Sequence, residues 1–208
     1  MNLAPVADLN TNVNNPIIGR RSFGSDTELV IPILTHFIQG LQDNGVMATA
    51  KHFPGHGDTS ADSHIELPIV SYPRERLDSV EFAPFMAAIN ASVDVTMVSH
   101  IWFTAFDDRE IPASLSSRIV TGLLRDEMGY DGIIMTDALD MDAIDTAYTP
   151  GGSAIQAILA GNDLIAIGAH VGTRTIEEAM RDVLNAVQDG RIAESRIDAS
   201  VERILLAK

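Results

Sequence analysis

The sequence predicts an α/β protein with a parallel sheet of about five βα units, as in part of a fold of the (β/α)8, TIM-barrel type. Two observations carry this prediction. Five apolar runs are too short to be helices, and amphipathic helical patterns separate them. Strands that are apolar on both faces and alternate with helices form parallel sheets covered on both sides. An open, doubly wound sheet has the same pattern, so the alternation alone leaves two architectures.

The predicted strands are short apolar runs bounded by Gly, Asn or Asp. They cover approximately residues 3–7, 46–50, 93–98, 133–136 and 164–167. Such runs have the length of a buried strand, whereas helices usually need about ten residues or more. The chain is therefore expected to build a parallel sheet.

Amphipathic helices are predicted between and after the strands. The first has its apolar side chains on one face over residues 29–41 and ends before Gly45, and Pro32 predicts a late start or a kink. The remaining helical patterns cover residues 82–89, 119–128, 155–159, 176–187 and about 197–207. Gly129, Gly161 and Gly190 are expected to end three of them, because glycine readily adopts the conformation that closes a helix.

The composition excludes several classes of protein. The chain has 208 residues, with 29 Asp and Glu against 14 Lys and Arg, and its formal charge is −15. Such a surface repels phosphate backbones and anionic lipids, so neither nucleic acid nor a membrane is an expected partner. No run approaches the roughly 18 apolar residues of a transmembrane helix, and the lack of cysteine excludes disulfides. No signal peptide is visible, so a cytoplasmic location is expected.

Reactive side chains follow every predicted strand. In chain order they are Asp8, Lys51, His52, Ser99, His100, Asp137 and His170. In barrels and in open parallel sheets, ligands bind beyond the carboxyl ends of the strands. Any one of these residues could be a capping or solvated loop residue, but their recurrence after all the strands predicts a site.

The loop from Lys51 to His64, KHFPGHGDTSADSH, holds three of the six histidines. Gly55 and Gly57 predict a tight, mobile loop that closes over a ligand. Metal binding is one interpretation, but the spacing fits no common zinc pattern. Acid–base chemistry is the favoured one. Asp62 stands two residues before His64, and a carboxylate there can fix the imidazole tautomer that exchanges a proton near neutral pH.

A second informative stretch, GIIMTDALDMDAI, covers residues 132–144. Asp137 falls at the carboxyl end of a strand, where a carboxylate can face a substrate. Asp140, Asp142 and Asp145 lie at a helix start, where acidic residues are favoured, and are interpreted as structural. Position alone leaves Asp137 open to the same structural interpretation.

Together these segments resemble glycoside hydrolase family 3, and within it the NagZ-type β-N-acetylglucosaminidases. The matching segments occur in the family's order: NLAPVADLN, GRRSFGSD, GLQDNGVMATAKHFPGHGDTSADSHIELP, VSHI, GYDGIIMTDALDM and SVERIL. The pattern KHFPGHGDTxxDSH is long and highly specific. The family's β-glucosidases lack this histidine loop. They usually have Trp directly after their catalytic aspartate, at the position that Ala138 occupies in this sequence.

The resemblance implies a retaining glycoside hydrolase that removes terminal β-linked N-acetylglucosamine from peptidoglycan-derived muropeptides during cell-wall recycling. It implies that Asp137 is the catalytic nucleophile and that His64, paired with Asp62, is the general acid/base. No metal and no organic cofactor are expected, and the expected partner is a small carbohydrate.

The resemblance also implies a set of sugar-binding residues. Arg21, Lys51 and His52 are expected to hold the N-acetylglucosamine hydroxyls, because charge-assisted hydrogen bonds are stronger than neutral ones. Met97 and His100 are expected to line the sugar pocket. A buried, purely structural histidine is the alternative for His100.

The same resemblance implies that part of the barrel is missing. The family has about three strands before the NLAPV segment, with a DQEGG-like motif, and a complete barrel takes about 250 residues. Residues 1–208 are therefore expected to form a single, partial TIM-barrel catalytic domain. Open sheet edges and uncovered apolar surface predict self-association or instability, with little activity. An inactive or sugar-binding remnant and a β-N-acetylglucosaminide phosphorylase are the alternatives.

Overall fold

The computed structural model describes the backbone of residues 1–168 and 173–208. Within these ranges the strands are β1 (Thr49–Phe53), β2 (Ile69–Val70), β3 (Val95–Val98), β4 (Trp102–Phe103) and β5 (Ile133–Thr136). The central sheet is parallel, with β3 between β1 and β5. Single parallel bridges extend it on both sides, from Val6 to Lys51 and from Leu164 to Met135. All the predicted strand positions therefore lie side by side in chain order.

Two details of the strand prediction are corrected. β1 begins at Thr49, three residues later than predicted, so Lys51 and His52 lie within the strand and not after it. The reason is pairing on both sides: Thr49 N–H donates to Ala4 at 2.8 Å, and Lys51 aligns with Met97 of β3. The second correction is a separate parallel pair, β2 with β4, which was not predicted because each strand has only two residues.

The helices alternate with the strands. They are α1 (Thr27–Gln42), α2 (Arg74–Ser79), α3 (Ala83–Asn90), a π-helical segment (Arg118–Glu127), α4 (Asp142–Asp145), α5 (Pro150–Ala160), α6 (Thr173–Gln188) and α7 (Glu194–Leu206). Each of the six predicted helical patterns coincides with one of them. The late start expected from Pro32 is wrong: the Asp26 side chain accepts from the N–H of Glu28 and caps the helix one turn earlier.

The main hydrophobic core lies between the sheet and the helices α1, α3 and the π-helical segment. Leu34, Phe53, Phe85, Val98 and Leu123 are fully buried members of this core. Phe53 of β1 contacts Phe85 of α3 edge to face, with ring centroids 5.3 Å apart. β3 and β5 are buried along their whole length, as a parallel sheet covered on both faces requires.

Asp163 connects α7, the last helix, to β5 of the central sheet. Its side chain is fully buried and faces three guanidiniums, those of Arg125 at 2.9 Å, Arg203 at 3.3 Å and Arg196 at 3.6 Å. It also accepts hydrogen bonds from Ser200 Oγ at 2.6 Å and from the backbone N–H of β5 at Ile134. One carboxylate therefore forms ion pairs with cationic side chains from two helices.

We expect Asp163→Ala to lower the free energy of unfolding by about 3–5 kcal/mol, because removing one partner leaves buried charges uncompensated. Urea denaturation of the chain measures the change. Asp189→Ala is the matched control, since Asp189 is exposed and lies 3.7 Å from the exposed Arg191. The control is expected to change stability by less than about 0.5 kcal/mol. Equal effects of the two substitutions would contradict the account.

Helices α6 and α7 expose large apolar side chains, among them Met180, Leu184, Leu205 and Leu206. The predicted self-association and the single partial domain remain predictions, which light scattering and limited proteolysis of the chain can test. Of the helices that the structure describes, none has both the length and the apolar character needed to cross a membrane.

Candidate active site

The polar residues predicted from the sequence gather at one edge of the central sheet. Asp137 directly follows β5, and its backbone N–H donates to Val98, the last residue of β3, at 2.8 Å. Lys51 and His52 lie in β1, and Asp8 follows the bridge at Val6. Because these segments are parallel, their carboxyl ends meet at the same edge. His170, predicted to follow the fifth strand, lies outside the described residues.

Asp137 is held as a carboxylate. Burial alone would raise its pKa, but the imidazoles of His52 and His100, the backbone N–H of Ala138 and the Lys51 ammonium together lower the pKa below its ordinary value. The Ala138 N–H donates to Oδ1 at 2.8 Å. A partly buried carboxylate that stays ionised beside the Lys51 ammonium can attack an electrophilic carbon.

His52 lies between Asp8 and Arg21. Arg21 donates from Nη2 to Nε2 of His52 at 3.2 Å, and a guanidinium has only donors, so Nδ1 carries the imidazole proton. Nδ1 then donates to Asp8 Oδ2 at 2.7 Å. Neither ring nitrogen is free here for a sugar hydroxyl. The direct sugar bond predicted for His52 therefore requires Arg21 to move aside.

Asp8 is fully buried beneath this histidine. Besides the His52 ring, its carboxylate accepts the backbone N–H groups of His52 at 3.1 Å and of His56 at 2.6 Å. Burial alone would raise the pKa of Asp8, but the two histidines lower it. The position of Asp8 is predicted from the sequence, but its role is not, because its partners His52 and His56 are 44 and 48 residues away.

Lys51 is half-buried and lies close to both carboxylates. Burial and the Arg21 guanidinium lower the pKa of Lys51, whereas Asp137 and Asp8 act in the opposite direction. Arg21 itself is exposed. The ammonium of Lys51 and the exposed guanidinium of Arg21 are thus the cationic donors at this edge that can reach a bound hydroxyl.

His100 is completely buried, and both of its ring nitrogens are engaged. Nε2 lies 2.9 Å from the Ala138 carbonyl and therefore donates, so Nδ1 accepts from Ser114 Oγ at 2.7 Å. Burial lowers the pKa of His100. The geometry favours the structural alternative, in which His100 fixes the backbone after Asp137, and a contact of His100 with the sugar stays a prediction.

Asp62 and His64 form a hydrogen-bonded pair on the loop after β1. Asp62 Oδ1 accepts from the backbone N–H of His64 at 2.8 Å and lies 2.7 Å from its Nδ1. The His64 side chain is 58% exposed, whereas that of Asp62 is 23% exposed. Asp62 therefore orients the ring while Nε2 remains open to solvent or ligand. Among the described residues, no three His, Cys, Asp or Glu side chains are grouped so that they could hold a metal.

The base of this loop is packed tightly against the strand-like segment that carries Asp8. A Cβ added at Gly57 would lie 1.7 Å from the Leu9 carbonyl oxygen and 2.4 Å from its carbon. Gly57 is thus required by a close backbone approach, whereas Gly55 has a φ of +138° and supplies the predicted turn.

We expect Gly57→Ala to destabilise the chain by about 1–3 kcal/mol, because backbone must shift to admit the methyl group. Thermal and urea unfolding measure the loss. Gly40→Ala is the control, since nothing lies within 4 Å of a Cβ built on Gly40 in the last turn of α1. That substitution is expected to stabilise the chain by about 0.5–1 kcal/mol. A neutral Gly57→Ala would show that the loop is not packed as described.

Helices on a parallel sheet, with a carboxylate and cationic side chains at the carboxyl ends of its strands, define an α/β protein with a candidate ligand site, the arrangement found in TIM barrels and in open sheets alike. The family model described as the glycosyl hydrolase family 3 N terminal domain matches residues 1–207. The chain belongs to this family, which confirms the resemblance drawn from its motifs and the predicted fold class.

Solved structures and curated relatives agree with this assignment. The glycoside hydrolase family 3 β-N-acetylglucosaminidase from Paenibacillus sp. str. FPU-7 superimposes with a TM-score of 0.96 at 49% identity, over 99% of this chain and 39% of that one. β-Hexosaminidase A of Pseudoalteromonas piscicida is 34% identical over 223 residues, covering 100% of this chain and 37% of that protein. The β-glucoside phosphorylase BglX superimposes with a TM-score of 0.91 at 26% identity, over 99% of this chain and 38% of that one. The chain thus spans well under half the length of these relatives.

Proposed function

We propose that this chain carries the catalytic residues of a retaining glycoside hydrolase that removes terminal β-linked N-acetylglucosamine. The observation that supports this best is that an ionised carboxylate and a possible proton donor lie on two separate segments. Asp137 is partly buried and ionised at the end of β5, whereas His64, paired with Asp62, is exposed on a separate loop. A retaining mechanism needs one carboxylate nucleophile and one separate proton donor, and these residues can fill the two roles.

In the first step, the Asp137 carboxylate attacks the anomeric carbon and forms a glycosyl ester. The bond to the leaving oxygen breaks, and His64 gives that oxygen a proton from Nε2. Because Nδ1 is bonded to Asp62 at 2.7 Å, Nε2 is the nitrogen that faces outward for this transfer. The lowered pKa of Asp137 keeps the nucleophile ionised.

In the second step, water attacks the same carbon. His64 Nε2 takes a proton from that water, the ester bond to Asp137 breaks, and the sugar leaves with its original anomeric configuration. The exposure of the His64 ring suits this step because both the leaving group and the incoming water must reach it. Lys51 and Arg21 supply charge-assisted hydrogen bonds to the sugar hydroxyls.

We propose that the natural substrate is a peptidoglycan-derived muropeptide with a terminal N-acetylglucosamine. The enzyme would consume it during cell-wall recycling in the cytoplasm. The support is the resemblance to the NagZ-type branch and the names of the relatives, which include β-hexosaminidases. Release of N-acetylglucosamine from purified muropeptide fragments, compared with release from chitin oligosaccharides, tests this preference. A clear preference for the oligosaccharides would overturn it.

The activity itself is tested by incubating the purified chain with 4-nitrophenyl β-N-acetylglucosaminide and following the product by NMR. The proposal expects β-N-acetylglucosamine as the first product. Release of the α-anomer first would contradict a retaining mechanism. A chain without turnover would favour the sugar-binding remnant for these 208 residues, and binding of N-acetylglucosamine by calorimetry would then identify it.

A phosphorylase is the second candidate, favoured by the structural likeness to a β-glucoside phosphorylase. An imidazole donor, unlike a carboxylate, does not repel an incoming phosphate. In a phosphate buffer the phosphorylase would release N-acetylglucosamine 1-phosphate, whereas the hydrolase releases the free sugar in phosphate and in inert buffer alike.

A further inference from the structure

Ser63 stands between the two residues of the exposed pair, but its side chain points in the opposite direction. The His64 side chain is exposed and that of Asp62 partly so, whereas Ser63 is only 2% exposed. Its Oγ lies 3.0 Å from Nε2 of His56, an imidazole that is itself 1% exposed. The loop is therefore connected to the interior at the residue between its two functional side chains.

The hydrogen-bond partners of His56 fix its protonation. Thr59 Oγ1 donates to the His56 carbonyl at 3.0 Å, so it accepts at 2.7 Å from His56 Nδ1, which carries the proton. Nε2 must then accept from the Ser63 hydroxyl. Burial lowers the pKa of His56, in agreement with this neutral tautomer. His56 has no further proton to give, so its contribution is to position other groups.

The backbone of His56 is anchored independently of its ring. Its N–H donates to the buried Asp8 carboxylate at 2.6 Å, and its carbonyl accepts from Asn15 Nδ2 at 2.8 Å. The same Asn15 amide donates to the Thr59 carbonyl at 3.1 Å. A continuous set of buried hydrogen bonds thus leads from the floor of the site, at Asp8, to Ser63 in the loop.

From this geometry we infer that Ser63 and His56 are positioning residues that hold the Asp62–His64 pair over the site. The Ser63–His56 hydrogen bond acts as a latch for the loop. In the closed latch, His64 is available to the leaving oxygen above Asp137. When the latch opens, the exposed pair moves away from the site with the rest of the loop. Only the role given to His64 rests on the proposed function; the latch itself does not.

Hydrogen–deuterium exchange of the 208-residue chain, followed by mass spectrometry on the peptide covering residues 58–66, tests the latch. Ser63→Ala is expected to raise exchange in this peptide about 2- to 12-fold, the effect of losing one ordinary hydrogen bond on a local opening equilibrium. Ser60→Ala is the matched control, because Ser60 lies in the same loop, is exposed and has no side-chain hydrogen bond among those described. It is expected to leave exchange unchanged. Unchanged exchange in Ser63→Ala would overturn the latch.

A leaving-group series of aryl N-acetylglucosaminides tests the connection to catalysis. Ser63→Ala is expected to lower kcat/KM about 2- to 12-fold for poor leaving groups and to leave activated phenols unaffected, because only the former need the proton from His64. An equal loss across the series would overturn the positioning role. If the variant shows faster loop exchange but the wild type has no turnover, the latch is supported and the proposed function is not. Failure of the latch can thus be distinguished from failure of the proposed function.

Discussion

Replacing Asp137 with asparagine is expected to lower kcat/KM on any N-acetylglucosaminide by about 10⁴-fold or more, the scale of loss when a covalent nucleophile is removed. Asparagine keeps the shape of the side chain and can still approach the Ala138 N–H, but it has no charge with which to attack the anomeric carbon. Asp137 is the partly buried, ionised carboxylate at the end of β5, and no other described carboxylate occupies that position.

The matched control is Asp145→Asn, an exposed carboxylate at the end of α4 in the same segment. We expect this control to retain activity within about twofold, because surface substitutions away from the site change little. A slow fluorinated N-acetylglucosaminide gives an independent measurement. Peptide mass mapping is expected to find the trapped sugar on Asp137, and a label on another carboxylate would contradict the assignment.

Replacing His64 with alanine is expected to have an effect that depends on the leaving group. For poor leaving groups, kcat/KM should fall by about 10²–10⁴-fold, the usual contribution of a positioned proton donor. For activated phenols the first step needs little help, so the fall in kcat/KM should be much smaller. The measurement is the slope of log kcat/KM against the pKa of the leaving phenol, which should become steeper in the variant.

His36→Ala is the control for this experiment. His36 is an exposed histidine of α1, whose Nδ1 lies 2.6 Å from the Pro32 carbonyl of its own helix, far in sequence from the loop. It should leave the slope unchanged. Equal losses on good and poor leaving groups in His64→Ala would argue against His64 as the acid, and a zinc requirement of the wild type would favour the metal interpretation.

The sequence by itself determined the alternation of strands and helices and the edge of the sheet where the site lies. Both are local properties. A run such as residues 133–136 is apolar at every position, and a glycine such as Gly129 or Gly190 ends a helix through its own positive φ, 67° and 74° here. Because parallel strands have their carboxyl ends at one edge, the residues that follow them could be placed together without coordinates.

The chemistry of individual side chains was decided by the tertiary structure. The tautomer of His52 depends on Asp8, which is 44 residues away, and the engagement of His100 depends on Ser114 and on the carbonyl of Ala138. Their local sequence is equally compatible with a free imidazole, so the direct sugar contacts predicted for them could not be judged from it.

The loop was decided in the same way. Gly55 and Gly57 predicted a mobile segment, but Gly57 lies against the Leu9 backbone and His56 is bonded to Ser63. Flexibility is permitted by the local residue types, whereas anchoring comes from hydrogen bonds and close contacts between segments that are distant in sequence. Such contacts form only when the sheet brings the two segments together. The hydrogen bonds that position the Asp62–His64 pair are therefore visible in the folded chain and not in its sequence.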